Sequence, residues 1–295
     1  MRQLPLGISY HSHLNDYILS VILGIVEGLT EFLPVSSTAH LRIAEALLGV
    51  SLDDGFWKMF TIVIQLGPIL CLPILFIGRI RSFFETFPTG KNGTRTLFTH
   101  PLTLTLVAFI CTAAPSLLLK KMIGKNLENL TLMGYALAIG GVVMWIVDAL
   151  YGHSGRTKDV EDTTVTQAVM VGLCQSLAPI FPGTSRSMAT IVAGQLTGFT
   201  RSAALEFSFL LSIPTMAAAT GYDLLKFLKP GNTTAAIDGH GWILLAIGFA
   251  VSFVVAYATV AWLLNWVRTR GFVPFAIYRL AAGAAVVGWA MGHAQ

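Results

Sequence analysis

Two glutamates stand four residues apart inside an apolar stretch of the sequence, at Glu27 and Glu31. On a helix this spacing places both carboxylates on one face. Ionisable side chains in apolar, membrane-like surroundings are expensive and by default mark a function. Two carboxylates this close favour a cation between them, and Mg²⁺ or Ca²⁺ is the hard, oxygen-seeking ion that suits them. The alternative is a glutamate pair that is hydrogen-bonded for packing alone.

A proline and a cluster of hydroxyl residues follow at once, in Pro34-Val35-Ser36-Ser37-Thr38-Ala39-His40. Pro34 ends the first helix, and the hydroxyls and free backbone N–H groups then begin a second one. A helix N-terminus that opens onto a cavity is an anion site. His40 falls on the same face as Ser37, three residues earlier, within reach of a bound anion. The alternative for His40 is a hydrogen-bonded core histidine.

A second cluster lies in the other half of the chain, at Gly183-Thr184-Ser185-Arg186-Ser187-Met188-Ala189-Thr190. Gly183 lets the backbone approach a ligand closely, and Thr184 and Ser185 repeat the hydroxyl cap. Arg186 adds the planar fork that matches phosphate oxygens, and Thr190 shares its helix face. The alternative for Arg186 is a structural ion pair with a glutamate.

Together these residues form a set suited to a diphosphate group and a divalent cation. Metal and arginine would neutralise the phosphoryl charge while a hydroxyl, a histidine or water attacks phosphorus. Because the site lies among apolar segments, we expect an amphiphilic substrate with a lipid tail. The candidate catalytic residues are Glu27, Glu31, Ser37, His40 and Arg186, with Glu27 and Glu31 as metal ligands. The candidate substrate-binding residues are Ser36, Thr38, Gln65, Gly183, Thr184, Ser185, Ser187 and Thr190.

The composition indicates a membrane protein. Of 295 residues, 54% are hydrophobic and only 12% are charged, against roughly a quarter charged in a soluble domain. The apolar residues come in blocks about as long as the roughly 20 residues that a bilayer requires. The net charge of +4 is dispersed over the chain, so nucleic-acid binding is not predicted.

The two interrupted regions resemble each other at an offset of 148 residues. Gly24 then lies over Gly172, Pro34 over Pro182, Ser36 over Thr184 and Ser37 over Ser185. Gly/Pro-interrupted segments in corresponding halves indicate re-entrant half-helices that meet at a site near the membrane midplane.

We therefore predict a single all-α polytopic membrane domain of two inverted repeats, at about 17–150 and 165–292. Each repeat has one re-entrant half-helix pair and three transmembrane helices. Gly24 and Gly28, at small-xxx-small spacing, predict close helix packing. Segments 79–101 and 151–164 are predicted loops. Nine Lys/Arg inside against seven outside favour both termini outside.

The motifs have a counterpart in a known family. The segments from Glu27 to His40 and from Pro182 to Thr190 closely resemble the two signatures of the bacterial undecaprenyl-diphosphatases of the bacitracin-resistance type. Ile64-Gln65-Leu66-Gly67, Glu206-Phe207-Ser208-Phe209 and Pro274-Phe275-Ala276-Ile277-Tyr278-Arg279 are also similar. The resemblance runs from about residue 17 to the C-terminus.

This resemblance implies an enzyme of the bacterial inner (cytoplasmic) membrane, with its active site facing the periplasm. It would hydrolyse undecaprenyl diphosphate to undecaprenyl phosphate and inorganic phosphate, recycling the cell-wall carrier lipid. The resemblance also implies dependence on a divalent cation, and resistance to bacitracin, which competes for the lipid and does not bind the protein. A homo-oligomer is left open.

The resemblance also implies roles for the matching residues. Glu27 and Glu31 would organise the metal, Arg186 with Ser185 and Thr190 would clamp phosphate, and Ser37 or His40 would attack or transfer a proton. Direct attack by water and a general-base role for Glu31 stay open. The main alternative function is a lipid-phosphate flippase or transporter, since interrupted helices and a midplane anion site are typical of transporters.

Overall fold

The computed structural model describes residues 13–50, 55–126, 129–227 and 237–292. Helices account for most of this part of the chain. In order they are α1 (His13–Thr30), α2 (Ser37–Leu47), α3 (Gly55–Leu75), α4 (Ile77–Glu85), α5 (Pro101–Leu118), α6 (Lys120–Asn126), α7 (Leu130–Tyr151), α8 (Val165–Gln175), α9 (Leu177–Ile180), α10 (Arg186–Leu196), α11 (Arg201–Phe227), α12 (Gly239–Arg270) and α13 (Val273–Gly292). A 3₁₀ turn at Val160–Asp162 precedes α8.

Six of these helices are long and apolar enough to cross a membrane: α3, α5, α7, α11, α12 and α13. The shortest, α5, has 18 residues. At 1.5 Å per residue it extends about 27 Å, close to the ~30 Å of a hydrocarbon core. The chain is therefore an all-α, multi-pass membrane protein, and the predicted fold class is confirmed.

The remaining helices include two interrupted pairs, at the positions that the sequence predicts. In the first pair α1 ends at Thr30 and α2 begins at Ser37; in the second, α9 ends at Ile180 and α10 begins at Arg186. Three of the six long helices follow each pair. The inversion of one half relative to the other stays a prediction.

The residues that cap the second half-helix of each pair, α2 and α10, correspond at an offset of 149 residues. This is one more than the offset of 148 residues that the sequence comparison predicts. Ser36 and Ser185 immediately precede α2 and α10, which have 11 residues each, and their φ angles are 74° and 70°. Ser37 is thus the counterpart of Arg186, and its predicted equivalence with Ser185 is wrong. The second half has one more residue between its aligned glycine and its cap.

The prediction of a loop over 79–101 is wrong in its first part, where helix α4 lies. Phe83 is buried on one face of this helix, while Arg81 and Phe84 are exposed. A short amphipathic helix carries the same mixture of charged and apolar residues as a surface loop, and composition alone does not separate the two.

Glycines bring α1 into direct contact with α12. A Cβ atom at Gly24 would lie 2.8 Å from the carbonyl oxygen of Gly248, and one at Gly28 would lie 2.7 Å from that of Ser252. Both distances are too short for a real side chain, so the two backbones pack against each other. The close packing predicted from the Gly24 and Gly28 spacing is confirmed, and it holds the first half-helix in place.

A buried ion pair joins four elements at one end of the helix bundle. Asp148 of α7 is fully buried and accepts hydrogen bonds from Arg201 Nε at 2.7 Å and Nη2 at 2.9 Å. Gln195 Nε2 of α10 donates to the same carboxylate at 2.8 Å, and the Phe272 N–H at the start of α13 donates at 3.0 Å. The carboxylate thereby fixes α10, α11 and α13 relative to α7.

We expect Asp148→Ala to destabilise the protein by about 3–5 kcal/mol, because it leaves the largely buried Arg201 guanidinium without its carboxylate partner. The thermal unfolding midpoint in detergent measures this loss. The matched control is Glu85→Gln, which removes a carboxylate from the exposed Arg81–Glu85 pair and should leave the midpoint nearly unchanged. Equal midpoints for the two variants would contradict the structural role of Asp148.

Candidate active site

The first residues of the two second half-helices meet at the carboxylate of Glu31. The Ser37 hydroxyl, at the start of α2, donates a hydrogen bond to Glu31 Oε2. Arg186 Nη2, at the start of α10, lies 3.6 Å from Glu31 Oε1. Ser187 Oγ lies 3.4 Å from the backbone carbonyl oxygen of the same glutamate. One buried carboxylate thus joins the N-termini of both half-helices.

Both caps hold a serine in the left-handed region, which is uncommon for a residue with a side chain. Such a conformation costs about 1–3 kcal/mol and persists only where its surroundings enforce it. Ser185 Oγ accepts a hydrogen bond from the Met188 N–H at 3.3 Å, whereas the Ser36 side chain makes no capping bond. The two caps therefore share a backbone conformation but differ in the side-chain hydrogen bonds that stabilise it.

Arg279 of α13 donates hydrogen bonds to backbone carbonyl oxygens of both interruptions. Its side chain is fully buried. Nη1 donates to the carbonyl oxygen of Pro34 at 3.0 Å, and Nη2 donates to those of Gly183 at 3.1 Å and Thr184 at 3.0 Å. Sequence reasoning assigned Arg279 no role. The signal was present, since an arginine inside an apolar span is expensive unless it has a dedicated set of partners.

Glu27 lies one turn before Glu31 and is fully buried. Neither of its carboxylate oxygens has a hydrogen-bond partner among the described residues, and the same holds for Arg186 Nη1 and Nη2. An isolated buried carboxylate carries a large desolvation cost, so this oxygen pair is suited to a divalent cation. The donor set is small: no three His, Cys, Asp or Glu side chains come together in the described part of the chain. A cation here would complete its oxygen ligands from a bound phosphate, as Mg²⁺ commonly does.

A cavity of about 650 Å³ opens from this meeting point. Many of the candidate residues line its polar end: Glu31, Ser36, Ser37, Thr38, Gln65, Gly183, Ser185 and Arg186. The other candidates, Glu27, His40, Thr184, Ser187 and Thr190, are not among its lining residues. Thr190 Oγ1 instead lies 3.0 Å from the Arg186 carbonyl oxygen of its own helix and 2.6 Å from Ser208 Oγ, so it links α10, which carries the arginine, to α11.

The rest of the cavity wall is largely apolar and includes two lysines and an aspartate. Phe109 and Leu117 of α5, Ile123 of α6 and Met216 of α11 contribute apolar surface. Lys120, Tyr222, Asp223 and Lys226 also line it, and the Lys120 ammonium donates to the Tyr222 hydroxyl. The cavity therefore offers polar groups at one end and an apolar wall beside them, which suits an amphiphile.

A further polar group on the wall is absent from the sequence predictions. Gln175 Nε2 donates to Thr112 Oγ1 at 3.1 Å and to Thr215 Oγ1 at 3.0 Å, and all three residues line the cavity. The sequence comparison places Gln175 at the position of Glu27 in the other half. That correspondence with a buried glutamate, at the same offset of 148 residues, was the available signal for a functional polar residue at Gln175.

His40 is not among the residues that line the cavity, and its ring contacts the first interruption and helix α13. Its Nδ1 is 2.7 Å from the carbonyl oxygen of Ser36, and its Nε2 is 2.6 Å from the hydroxyl of Tyr278. Ser37 lines the cavity and His40 does not, although they are three residues apart on the same helix. A direct role for His40 stays a prediction.

Comparison with known proteins assigns this architecture to a family. The family described as "Bacitracin resistance protein BacA" matches residues 20–285 of the chain. The chain belongs to this family. The matched range includes Arg279 and every candidate site residue, so the family prediction from the motifs is confirmed.

Individual relatives agree with this assignment over nearly their whole length. An undecaprenyl-diphosphatase of Koribacter versatilis is 63% identical over 284 residues, which cover 94% of this chain and 99% of that protein. An undecaprenyl-diphosphatase of Rhizobium etli is 42% identical, with 93% of this chain and 97% of the relative covered. One of Thermus thermophilus is 41% identical, with 90% and 94% covered.

We expect Gly183→Ala to lower the thermal unfolding midpoint more than Gly198→Ala. Both glycines have a φ of +97°, which strains any residue with a Cβ atom. A Cβ at Gly183 would also lie 2.4 Å from the carbonyl oxygen of Met133, whereas one at Gly198 meets nothing within 4 Å. The difference between the two midpoints isolates the close approach at the second interruption. A smaller loss for Gly183→Ala than for Gly198→Ala would contradict the described packing.

Proposed function

We propose that this chain hydrolyses undecaprenyl diphosphate to undecaprenyl phosphate and inorganic phosphate, the activity named for its relatives. One observation carries the proposal: a serine hydroxyl and an arginine, each at the start of a half-helix, meet on one buried carboxylate at the polar end of an amphiphilic cavity. The polar end suits a diphosphate, and the apolar wall suits the adjoining isoprenoid chain.

Ser37 is the proposed nucleophile. Its hydroxyl already donates to Glu31, so the proton passes to this carboxylate as the Ser37 oxygen bonds to the terminal phosphorus. The bond from phosphorus to the bridging oxygen breaks, and undecaprenyl phosphate leaves. Water then attacks the phosphoserine, its proton is taken up within the same hydrogen-bonded pair, and inorganic phosphate is released with the Ser37 hydroxyl restored.

Arg186 and the two half-helix N-termini bind the phosphoryl oxygens. The N–H groups at the starts of α2 and α10 and the guanidinium are fixed before substrate arrives, and such preorganised donors stabilise charge that develops in the transition state. Glu31 lies 3.6 Å from Arg186, so the arginine is held towards the carboxylate until a phosphate competes for it.

Glu27 together with Glu31 would hold the divalent cation, Mg²⁺ or Ca²⁺. When bound, the cation supplies neutralisation of phosphoryl charge. The support is the unpartnered, fully buried carboxylate of Glu27 beside a carboxylate that reaches the cavity.

The cavity mouth is proposed to face the periplasm from the bacterial inner membrane. Lys120 and Lys226 line the cavity. With both termini outside, as the charge distribution favours, the segments that carry these two lysines are also outside. The substrate would then be reached from the outer leaflet. Competition by bacitracin for the lipid, without binding to the protein, is part of the same proposal.

We expect Ser37→Ala and Glu31→Gln to lower kcat for phosphate release about a thousandfold or more, because they remove the nucleophile and its base. Arg186→Ala should lose about a hundredfold to a thousandfold. The assay uses the full chain in detergent with undecaprenyl diphosphate. Ser116→Ala is the matched control, because this cavity serine donates only to its own helix, at 2.7 Å to Thr112 O. It should retain wild-type kcat.

Full activity of Ser37→Ala would contradict attack by Ser37 and leave water or His40 as the nucleophile. If the folded wild type binds the lipid and releases no phosphate, the hydrolase proposal fails and a lipid-phosphate flippase takes its place. Lipid movement between vesicle leaflets is the measurement that would then decide.

We expect EDTA to abolish phosphate release and added Mg²⁺ or Ca²⁺ to restore it. In Glu27→Gln one charged ligand is lost, so the metal concentration for half-maximal release should rise at least about tenfold. A titration of the chelated enzyme with each cation measures this shift. Unchanged release in EDTA, or an unshifted titration for Glu27→Gln, would contradict the assignment of the cation to this carboxylate pair.

A further inference from the structure

His40 and Tyr278 form a hydrogen-bonded pair that reaches the backbone next to Ser37 from outside the cavity. The Ser36 carbonyl can only accept, so His40 Nδ1 carries the proton and donates to it at 2.7 Å. Nε2 then accepts the Tyr278 hydroxyl proton at 2.6 Å. The two rings are stacked, with centroids 5.6 Å apart. Both ring nitrogens are therefore engaged by protein partners.

Ser36 and Ser185, the two serines with positive φ, are stabilised by different hydrogen bonds, and His40 supplies one of those at Ser36. Ser185 is capped by its own hydroxyl, which accepts the Met188 N–H. Ser36 makes no such bond. The carbonyl oxygens of both caps accept the backbone N–H four residues later, from His40 at 3.2 Å and from Ala189 at 3.0 Å. The Ser36 carbonyl alone of the two also accepts a ring N–H, from His40 Nδ1, so the first cap is held at its carbonyl oxygen and the second by its own hydroxyl.

The residue after Tyr278 on α13, Arg279, bonds to the backbone on the other side of Ser36. Arg279 directly follows Tyr278 and donates to the carbonyl oxygen of Pro34 at 3.0 Å. Helix α13 therefore contacts the interruption at two points, through Arg279 before Ser36 and through Tyr278 and His40 after it. A strained residue needs surroundings of this kind to keep one conformation.

We propose that His40 and Tyr278 are positioning residues, which orient Ser37 through the Ser36 carbonyl and do not touch the substrate. The inference rests on Ser37 as the nucleophile of the proposed function. The Ser36 carbonyl and the Ser37 N–H belong to one planar peptide group. A ring N–H that fixes this plane therefore fixes the direction of the Ser37 side chain towards Glu31, and Tyr278 selects the histidine tautomer that can donate.

Asparagine distinguishes positioning from direct chemistry at His40, because its side-chain amide nitrogen takes the place of Nδ1 and cannot attack or carry a proton at neutral pH. We expect His40→Ala to lower kcat for phosphate release about tenfold to a hundredfold with KM little changed, since a displaced nucleophile affects the chemical step. His40→Asn should restore kcat to within about threefold of wild type, with the pH profile of kcat unchanged in shape.

Tyr278 is tested by a double-mutant cycle. Tyr278→Phe should lower kcat about threefold in the wild type and leave it unchanged in His40→Asn, because the hydroxyl acts only through the histidine ring. Tyr135→Phe is the control, an exposed tyrosine on α7 that should behave as wild type. Thermal unfolding midpoints in detergent establish that each variant is folded.

The inference is overturned if folded His40→Asn is as inactive as His40→Ala, because His40 then attacks or transfers a proton itself. The same conclusion, a direct chemical role of His40, follows if His40→Asn loses one limb of the pH profile of kcat. An equal effect of Tyr278→Phe in both backgrounds overturns the role of the tyrosine. If wild type and Tyr135→Phe release no phosphate, the proposed function is overturned instead. The experiment thus distinguishes failure of this inference from failure of the proposed function.

Discussion

Helical backbone interrupted inside a membrane leaves carbonyl groups without partners, and Arg279 supplies hydrogen-bond donors to both interruptions at once. Its guanidinium reaches Pro34 in the first and Gly183 and Thr184 in the second. Irregular backbone at this depth is tolerated only where protein or a polar cavity satisfies it. The fork geometry of arginine, with five donors in one plane, allows one side chain to serve two segments. The remaining geometry of the site depends on this contact.

The two halves contribute different chemistry at equivalent positions. The first residue of α2 is Ser37, and the first residue of α10 is Arg186, so a hydroxyl and a cation occupy the two half-helix N-termini. Glu31 comes from the first half only and contacts both. The two halves thus form an asymmetric site, in which one half offers the carboxylates and the proposed nucleophile and the other offers the arginine.

The shape of the cavity matches the chemistry at its end. Its polar groups converge on the place where the half-helices meet, while apolar side chains of α5, α6, α9 and α11 extend along the wall. A soluble phosphate ester would leave that wall exposed to water, whereas a lipid diphosphate covers it with its tail. Selection for an amphiphile therefore follows from the same arrangement that places Ser37 beside Glu31.

The sequence by itself determined the membrane class, the positions of both interruptions, the family and the set of candidate polar residues. Those features are local, since hydrophobic pattern and motif spacing follow the chain. Only the tertiary structure decided that the His40 ring joins Ser36 to Tyr278, that the half-helix caps correspond one residue later than the sequence comparison predicts, and that Arg279 joins both interruptions. Arg279 and Pro34 are 245 residues apart. Contacts at such separation arise from helix packing, which no local pattern encodes.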